Sequence, residues 1–555
     1  MMTAGNADSM DMTAMQHHWR LAVASVLMLF LLTGVPTLAD AAKKGVATAE
    51  ASDSETEVDE DAGADDSPKL KDGPYQMDYV PAEALQLPAP ALPPIDIYNE
   101  DWVRQRLDET GHGGEPVVRV ERMFKKATLR EFTASDRAVE WARRQLSHPK
   151  AVFVRSGRVT AKDILQQVNN RAFFEELSPG VFILRLPLVV EHGASLVLDG
   201  EEIKTLRLSQ DRGAFIEVHG QLYTLNMEMV AWDESADTNA QYESSKEFRP
   251  FLTTWGGSKL YMSGTRVVSF GYNKSKSYGI TVSHYSEDEN EELRQEGPKS
   301  WIMDSEFVDV YYGFYCFEAE GLVVVRNKYI NNIVYGIDPH DYSSHLVIAE
   351  NEVYGTVKKH GIIVSRSVND SWIFNNKSYD NAISGFVLDR SSERNVIANN
   401  LAYRNGGDGY TLYESHDNLF WSNLAFDNNR HGIRARNSAN LRLYGNKAFR
   451  NGGFGIYGHI ADLSNTDRDF EHDPYEMRVS MTIHGGNYAL NARGPFHVEH
   501  PESVVLYDLD MRFPVNSYGL QLFGIFKPHQ SSLLEALIKD QRAVKLHPVE
   551  LARES

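Results

Sequence analysis

The 555-residue chain has a single cysteine, Cys316. It therefore cannot form an internal disulfide, and its cysteine content points to no particular compartment. Basic residues are also in short supply, because 56 lysines and arginines stand against 77 aspartates and glutamates, for a formal net charge of -21. This charge argues against nucleic acid as a partner. It also requires that an anionic polymer, if one binds, be met by a locally basic groove.

The N-terminal apolar run, Leu21 to Leu32, is too short to span a membrane, since a spanning helix needs about 20 apolar residues. Arg20 precedes the run and a small-residue site at 39–41 follows it. This order of a basic residue, an apolar run and small residues is the pattern of a cleaved signal peptide. We predict that residues 1–41 are removed, that the mature chain has no membrane span, and that it is exported to the periplasm.

A repeat organises the region from Asn327 to Ile456. Each of its six rounds begins with an asparagine and has a glycine next to an apolar residue nine or ten positions later. A fixed period in the low twenties predicts a solenoid, and the abundant Asn, Gly, Tyr, Val and Ile favour strands and turns. The leucine skeleton of leucine-rich repeats is missing. We predict an all-β fold, a right-handed parallel β-helix with one coil per round. The starting asparagines are Asn327, Asn351, Asn376, Asn400, Asn423 and Asn446.

Strand alternation about each glycine predicts which side chains face outward. The residues one and three positions after the glycine are mostly apolar and should face the core, so those two and four positions after it should face out. Stacked coils lie about 4.8 Å apart. Asp338 and His340 should therefore share one outer face with Arg366, which ends the strand of the next coil. The six asparagines should form an internal structural ladder that hydrogen-bonds turn backbone.

The remaining segments are predicted as additions to this solenoid. Residues 42–100 read as an acidic and then proline-rich disordered or extended linker, residues 101–177 as a mixed N-terminal capping region, residues 178–520 as the β-helix with its groove, and residues 521–555 as a helical cap or tail. Capping signals predict helices over 136–146, over 161–169 and from Ser532. Polar insertions at 233–250 and 284–299 are candidate lids over the groove, and 461–478 is a third insertion.

The densest ionisable cluster on the predicted outer face is Asp338-Pro339-His340-Asp341. A histidine accepts a proton near neutral pH, Asp338 is placed to orient it, and Arg366 in the next coil can neutralise a carboxylate. A base beside such a cation is what removal of a proton α to a carboxylate requires. In uronic acids this is the C5 proton. The cluster predicts acid–base chemistry on a polyuronate, unless His340 and Asp341 only fill a turn.

Further basic residues lie in the same columns of the repeat. Arg390, Arg434 and Arg436 stand on outward positions and, with Arg366, predict a basic track for an anionic polymer; the alternative is scattered surface charge. His360 precedes the glycine of its round and is either a turn residue or a contact for substrate.

The stretch Tyr335 to Asp341, YGIDPHD, resembles the YG-x-DPH-[DE] signature of mannuronan C5-epimerases. In layout the chain is similar to the periplasmic epimerases of alginate biosynthesis (AlgG type) along most of its mature length. The resemblance implies conversion of β-D-mannuronate to α-L-guluronate within polymeric alginate. In that reaction His340 would remove the C5 proton, Arg366 would neutralise the carboxylate, and water would return a proton from the opposite face. Tyr335 matches a tyrosine that acts as a catalytic acid or base in secreted members and lyases, and Asp338 and Asp341 would support the histidine and bind sugar.

The resemblance also concerns cofactors and partners. Secreted epimerases carry calcium-binding nonapeptide repeats, whereas no GGxGxD run occurs here. A calcium-independent enzyme is implied, and the sequence offers no cluster of metal ligands. Anionic polysaccharide and other periplasmic proteins of alginate biosynthesis and export are the implied partners. Asn376 and Asn381 match residues that the family needs, but both lie in repeat columns and are predicted to be structural.

Three other functions are compatible with parts of the pattern. A polyuronate lyase shares the first step and then expels the 4-O substituent. A β-helix polygalacturonase would need paired aspartates, but Asp338 and Asp341 fall on different faces of the predicted strand. A non-catalytic scaffold of a periplasmic export complex would bind polysaccharide without changing it.

Overall fold

The computed structural model describes residues 73–111, 113–123, 139–254, 258–274, 276–283, 300–466, 468–471, 473–511 and 521–549. The predicted signal peptide, the acidic segment 42–72 and the candidate lid at 284–299 lie outside the described residues. Within the described part of the chain, no helix is both long enough and apolar enough to cross a membrane.

The regular rounds fold as a parallel β-helix. Each round contributes one short strand to each of three sheets, here called A, B and C, and each strand pairs in parallel with its equivalent one round later. In the round that begins at Asn327, the chain passes through sheet C at Lys328–Ile330, sheet B at Tyr335–His340 and sheet A at Val347–Ala349. The predicted solenoid of coils is confirmed.

The strands of each sheet are given in order of pairing. Sheet A comprises Lys150–Thr160 (its second half), Ala194–Asp199, Gln221–Leu225, Lys259–Ser263, Trp301–Met303, Val323–Val325, Val347–Ala349, Trp372–Phe374, Val396–Ala398, Leu419–Trp421, Leu441–Tyr444, Ser480–His484, Ser503–Tyr507, Ala543–Pro548 and Tyr75–Val80. Sheet B comprises Val117–Arg122, Lys150–Thr160, Leu188–Val190, Ile216–Val218, Leu252–Thr254, Gly279–Ser283, Tyr312–Phe317, Tyr335–His340, Ile362–Ser365, Phe386–Asp389, Tyr410–Tyr413, Ile433–Arg436, Phe454–His459 and Gly494–Val498. Sheet C comprises Phe174–Ser178, Val181–Leu184, Thr205–Ser209, Glu228–Asp233 (which also pairs with Thr238–Asn239), Arg266–Val268, Glu306–Val308, Lys328–Ile330, Glu352–Tyr354, Lys377–Tyr379, Leu401–Tyr403, Leu424–Phe426 and Lys447–Phe449.

Helices are few and short. The α-helices are Glu100–Thr110, Ala161–Val168 and Gln530–Leu534, and residues 139–145 are also helical. Two 3-10 helices, Ala82–Leu85 and Gly524–His529, and a π-helix, Glu535–Lys539, complete the set for the described residues.

The predicted register of sheet B is confirmed for the side chains that face the core. Ile337 pairs with Ile362, which pairs with Phe386 and then Tyr410, and all four side chains are buried in the central core. Burial of such apolar side chains contributes about 2 kcal/mol each before entropy costs are counted. The repeat is therefore held by a continuous apolar column inside the coils.

The predicted asparagine ladder is also confirmed. In each step the Oδ1 atom of one asparagine accepts from the backbone N and the Nδ2 of the asparagine one coil before, as from Asn376 to Asn400 at 2.9 and 3.0 Å. The Nδ2 atom of Asn376 also donates to the Ile348 carbonyl at 2.8 Å. Because every polar atom of these buried amides is used, the ladder fixes the turns between sheets A and C. A second ladder in the turns between sheets C and B contains Asn381, Asn405, Asn428, Asn451 and Asn491.

Residues 73–100 are not a linker, contrary to the sequence prediction. Tyr75–Val80 pairs antiparallel with Ala543–Pro548, and Ile95 joins an apolar cluster on the outer face of sheet A. Arg326 donates to the backbone carbonyl of Tyr98. The segment is part of the fold because it buries apolar surface and covers a sheet edge.

The predicted boundary of the β-helix at residue 178 is also wrong. Lys150–Thr160 already pairs with Leu188–Val190 in sheet B and with Ala194–Asp199 in sheet A. The predicted helix near 161–169 is observed, and Thr160 and Asp163 form its capping box. Of the predicted helix over 136–146, residues 136–138 lie outside the described part.

The C-terminal segment is only partly helical. Ser532 lies inside Gln530–Leu534 and caps nothing. A 3-10 helix, Gly524–His529, runs directly into this helix, so no free helix start exists at Ser532. The chain then returns as the strand Ala543–Pro548, which pairs with Ser503–Tyr507 and extends sheet A.

Candidate active site

The outer face of sheet B carries an aromatic cluster in the middle of the solenoid. Outward side chains such as Ile363 and Val387 belong to a cluster separate from the central core, so they point away from that core, as predicted. They are nevertheless covered, with 6% and 2% of their surface exposed. We call this cluster the aromatic floor. Its members are Tyr278, Tyr311, Tyr315, Ile333, Val334, Tyr335, Ile363 and Val387.

Charged residues occupy the turns that follow four successive sheet B strands, from Tyr335–His340 to Tyr410–Tyr413. Asp341, Arg366, Arg390 and Glu414 occupy equivalent positions with φ values of 32°, 61°, 51° and 46°. Such left-handed conformations cost a non-glycine residue about 1 kcal/mol or more, and they recur in other turns of the coils, as at Glu350 and Asn375, so they are a feature of the repeat. The turn also ends strand alternation. This is why Asp341 reaches the same side as its neighbour His340.

His340, Asp341 and Arg366 form one connected group at this edge of the floor. Asp341 accepts a hydrogen bond from His340 Nδ1 through Oδ2 at 2.8 Å. Its other oxygen, Oδ1, lies 3.3 Å from Arg366 Nε. The three side chains are 22%, 14% and 20% exposed. Because Asp341 occupies Nδ1, the imidazole has Nε2 for a substrate.

The charges of this group set its proton affinity. Burial lowers the pKa of His340, but the adjacent Asp341 carboxylate and its hydrogen bond outweigh burial and raise that pKa to about 9. Burial likewise opposes ionisation of Asp341, yet His340 and Arg366 hold the pKa of this carboxyl below its usual value. The imidazole is therefore a stronger base than a free histidine.

Asp341, rather than the predicted Asp338, holds the imidazole. Asp338 lies on the strand and is 2% exposed, next to Tyr315 in the pairing register. Its charge adds to the rise in the pKa of His340. The prediction failed because it extended strand alternation past His340 into a turn.

The opposite edge of the floor holds Tyr335 and His360. Their rings stack with centroids 6.0 Å apart. His360 Nδ1 accepts a hydrogen bond from the Ser384 backbone N at 3.1 Å, so one ring nitrogen is used in the turn. Lys359 Nζ donates to Tyr335 Oη at 3.3 Å. Tyr335 and His340 thus stand at the two ends of one strand.

The predicted basic track is wrong beyond Arg390. Arg434 and Arg436 are 3% and 1% exposed, and Arg436 Nε lies 2.9 Å from the buried carboxylate of Glu414. Arg434 Nη1 lies 4.0 Å from the buried carboxylate of Asp408. Both arginines are therefore paired with carboxylates inside the protein and do not line an open groove.

The insertion 461–478 closes the same region. Its Arg468 Nη1 lies 2.7 Å from Glu414 Oε2, and its Asp473 lies 3.4 Å from Arg390 Nη1. Arg468 Nη2 also lies 3.7 Å from Asp473 Oδ1. The three arginines and two carboxylates thereby form one connected network, which is buried around Glu414 and leaves Arg390 20% exposed at its edge. Sequence periodicity could not reveal it, because the insertion interrupts the repeat.

The sequence analysis also missed the two lysines at the amino end of Ile362–Ser365. Lys358 Nζ donates to Tyr242 Oη at 2.8 Å, and Tyr242 belongs to the predicted lid 233–250. A consecutive lysine pair, separated from a repeat glycine by His360 alone, was the available signal. As for metals, the described residues contain no group of three or more His, Cys, Asp or Glu side chains that could hold an ion, and calcium independence stays a prediction.

Comparisons with known proteins show which proteins this chain is similar to. A family described as "right handed beta helix region" matches residues 312–465. A mannuronan C5-epimerase of Pseudomonas putida is 46% identical over 477 residues, which are 86% of this chain and 91% of that protein. The mannuronan C5-epimerase AlgG of Azotobacter vinelandii is 43% identical over 506 residues, 91% of this chain and 95% of that protein.

A solved structure agrees with the sequence relatives. The crystal structure of the periplasmic alginate epimerase AlgG superposes with a TM-score of 0.74 at 44% identity, and the match covers 77% of this chain and all of that one. The match extends over all of that structure, and the sequence relatives are matched over nearly their full lengths. The chain therefore belongs to the mannuronan C5-epimerase family and has its right-handed parallel β-helix fold.

Proposed function

We propose that this protein is a periplasmic mannuronan C5-epimerase that converts β-D-mannuronate to α-L-guluronate within polymeric alginate. The observation that carries the proposal is the connected group of His340, Asp341 and Arg366, which joins a strong base to a cation. Family membership supports the substrate and the compartment.

In the first step, Arg366 binds the C6 carboxylate of one mannuronate and His340 Nε2 takes the C5 proton. The C5–H electron pair moves into the carboxylate and gives an enolate dianion. Arg366 stabilises the charge that develops on the carboxylate oxygens. Asp341 keeps the imidazole in the tautomer with Nδ1 protonated and stabilises the imidazolium that forms, as the aspartate does in serine-protease triads.

In the second step, a proton reaches C5 from the opposite face and gives α-L-guluronate. Water or the Tyr335 phenol supplies this proton and is left as hydroxide or phenolate. The proton that His340 releases to solvent balances the one that this donor takes back from solvent. Asp338, on the floor beside Tyr315, contributes negative charge near the imidazole and a contact for sugar. Arg390 and His360 extend the binding surface for neighbouring sugars. Other periplasmic proteins of alginate biosynthesis and export remain proposed partners.

Proton NMR of polymannuronate in deuterated water tests the proposal. The mature protein should generate guluronate signals with deuterium at C5, and His340→Ala should abolish both. Unsaturated, UV-absorbing ends would identify a lyase instead. A polymer that binds but stays unchanged would leave the scaffold function.

A further inference from the structure

Two consecutive lysines lie on the aromatic floor at the edge opposite Arg366. They precede the strand Ile362–Ser365, and Arg366 follows it. The Lys359 amino group is 5.6 Å from the centroid of the Tyr335 ring, and Lys358 is 5.1 Å from that of Tyr242. Each amino group also donates to the phenol oxygen of its tyrosine, at 3.3 and 2.8 Å.

Cations therefore stand on both sides of the floor within one coil. Lys359 and Arg366 are seven positions apart in the chain, and the four-residue strand Ile362–Ser365 between them is itself about 10 Å long at about 3.3 Å per residue. Tyr335 is part of the floor, and Tyr242 packs against it. Lys358 is exposed, and its partner within the described part of the chain is a neutral phenol. Its positive charge therefore lies beside the aromatic floor, and the partner described for it there is a phenol, not a carboxylate.

A polymannuronate chain carries carboxylates on two sides, so a protein that binds it needs cations on both sides of the chain. In an extended chain of β-1,4-linked mannuronates, each sugar is turned over relative to the one before it. Successive carboxylates therefore project to alternate sides of the chain. A single row of cations would meet every second carboxylate and leave the others facing an acidic protein, whose formal net charge is -21.

We propose that Lys358 and Lys359 form a second cationic edge that binds the carboxylate of the sugar next to the one at His340. The carboxylate of the reacting sugar goes to Arg366 at the other edge. The inference rests on the proposed function and names the recognition of the neighbouring sugar. Lysine suits this place because its ammonium is a point charge on a flexible stem. It can follow a carboxylate whose position changes when mannuronate becomes guluronate.

The proposed role of the lysines is to bind the neighbouring sugar, whose atoms do not react, with water as the proton donor at C5; the hydrogen bond from Lys359 to the Tyr335 phenol would affect the chemistry only if that phenol supplied the proton. Their contribution is therefore made equally in the ground state and in the transition state, and it affects KM rather than kcat. An exposed ion pair is worth up to about 1 kcal/mol. Two such pairs correspond to a KM effect of roughly tenfold or somewhat more.

The test compares the double variant Lys358→Met, Lys359→Met with wild type in the polymannuronate assay. KM should rise roughly tenfold, with kcat unchanged within about twofold. The difference in KM should shrink as ionic strength is raised from about 0.05 to about 0.5 M, because salt screens exposed charges. Lys377→Met, which removes an exposed lysine from sheet C, is the matched control and should leave KM within about twofold.

Two outcomes would overturn the proposal. An unchanged KM would mean that the lysines do not meet the polymer. A loss of kcat at constant KM would mean that Lys359 acts through the Tyr335 phenol instead. Should the double variant not fold, the single Lys358→Met variant at an exposed position tests the same edge, with a smaller expected rise in KM. Failure of the proposed function would look different, because wild type itself would then produce no guluronate.

Discussion

Replacing Asp341 by asparagine should move the pH dependence of the reaction. The amide can still contact His340 Nδ1, but it no longer supplies the negative charge that raises the pKa of His340 to about 9. With that charge gone, burial and Arg366 favour the neutral imidazole. kcat/KM rises with pH as His340 loses its proton, and we expect the midpoint of this limb of the profile to move from about pH 9 to about 6.5 or below.

The magnitude follows from the fraction of neutral base. With a pKa of about 9, roughly one His340 in thirty is neutral at pH 7.5; with a pKa of about 6.5, about nine in ten are. The variant nevertheless loses the charge that stabilises the imidazolium and the tautomer. We therefore expect its plateau to fall by a factor of about 100 to 10,000. The kcat/KM of the variant should therefore be far below that of wild type at high pH, and this difference should become much smaller toward neutral pH.

The same substitution has a signature in stability. A histidine whose pKa is raised on folding contributes stability that is fully present below its unfolded pKa of about 6.5 and is lost as pH rises through about 9. Asp341, whose pKa is lowered on folding, contributes above about pH 4 and loses its contribution as pH falls. Asp341→Asn should thus be destabilised relative to wild type most strongly between about pH 4 and 6.5, by up to about 3 kcal/mol, and the part of this loss that comes from the His340 pair should fade as pH rises through about 9.

Two measurements check this reasoning. Initial rates from NMR, taken between pH 5.5 and 10 for both proteins, give the limbs, and thermal unfolding over the same range gives the stability window. Asp338→Asn is the matched control and should shift the limb by less than Asp341→Asn does. A limb in the variant that coincides with that of wild type would refute the assigned role of Asp341.

Three further predictions test separate parts of the molecule. Arg366→Lys keeps the charge but loses the planar fork, so kcat/KM should fall by about 10- to 100-fold in the NMR assay; an unchanged value would exclude bidentate binding of the carboxylate. Asn400→Ala removes one buried step of the ladder and should lower the free energy of unfolding by about 2 to 4 kcal/mol, while the folded fraction keeps its kcat; equal stability would show the ladder to be dispensable. Glu414→Gln leaves Arg436 and Arg468 buried without their common carboxylate, so it should cost about 3 to 5 kcal/mol and expose 461–478 to proteolysis; an insertion as resistant as in wild type would mean that other contacts hold it.

The sequence predicted the repeating part of the fold well because each coil repeats one set of local contacts. The asparagine ladder and the inward column containing Ile337 and Ile362 follow from period and alternation alone. The segments at both ends could not be predicted in this way. Pairing of Tyr75–Val80 with Ala543–Pro548 joins residues more than 460 positions apart, and no local pattern specifies such a partner.

The candidate site was predicted in its residue types but not in its connections. His340 and Arg366 lie where the repeat places them, one coil apart on one edge. Strand alternation gave the orienting role to Asp338, whereas Asp341, which the resemblance also named as a support of the histidine, makes the hydrogen bond. The reason is the left-handed turn at Asp341 (φ 32°), which ends the alternation. Arg434 and Arg436 were misplaced for a different reason. Their column is outward, but an insertion from outside the repeat covers it.

The turn at Asp341 and the insertion 461–478 are the two departures from the repeat, and together they determine which part of the outer face of sheet B can meet substrate. Equivalent positions in successive coils hold His340, Ser365, Asp389, Tyr413 and Arg436, so the fold alone presents one column of five different side chains. The buried network around Glu414 removes the last coils from contact with substrate. The turn position after the strand holds the carboxylate of Asp341 in the coil of His340 and the guanidinium of Arg366 in the next coil. The rigid ladder then holds this one pair of coils in register. We therefore expect proton abstraction at that pair, because there, within the described part of the chain, a base with an orienting carboxylate stands beside the cation proposed to bind the substrate carboxylate.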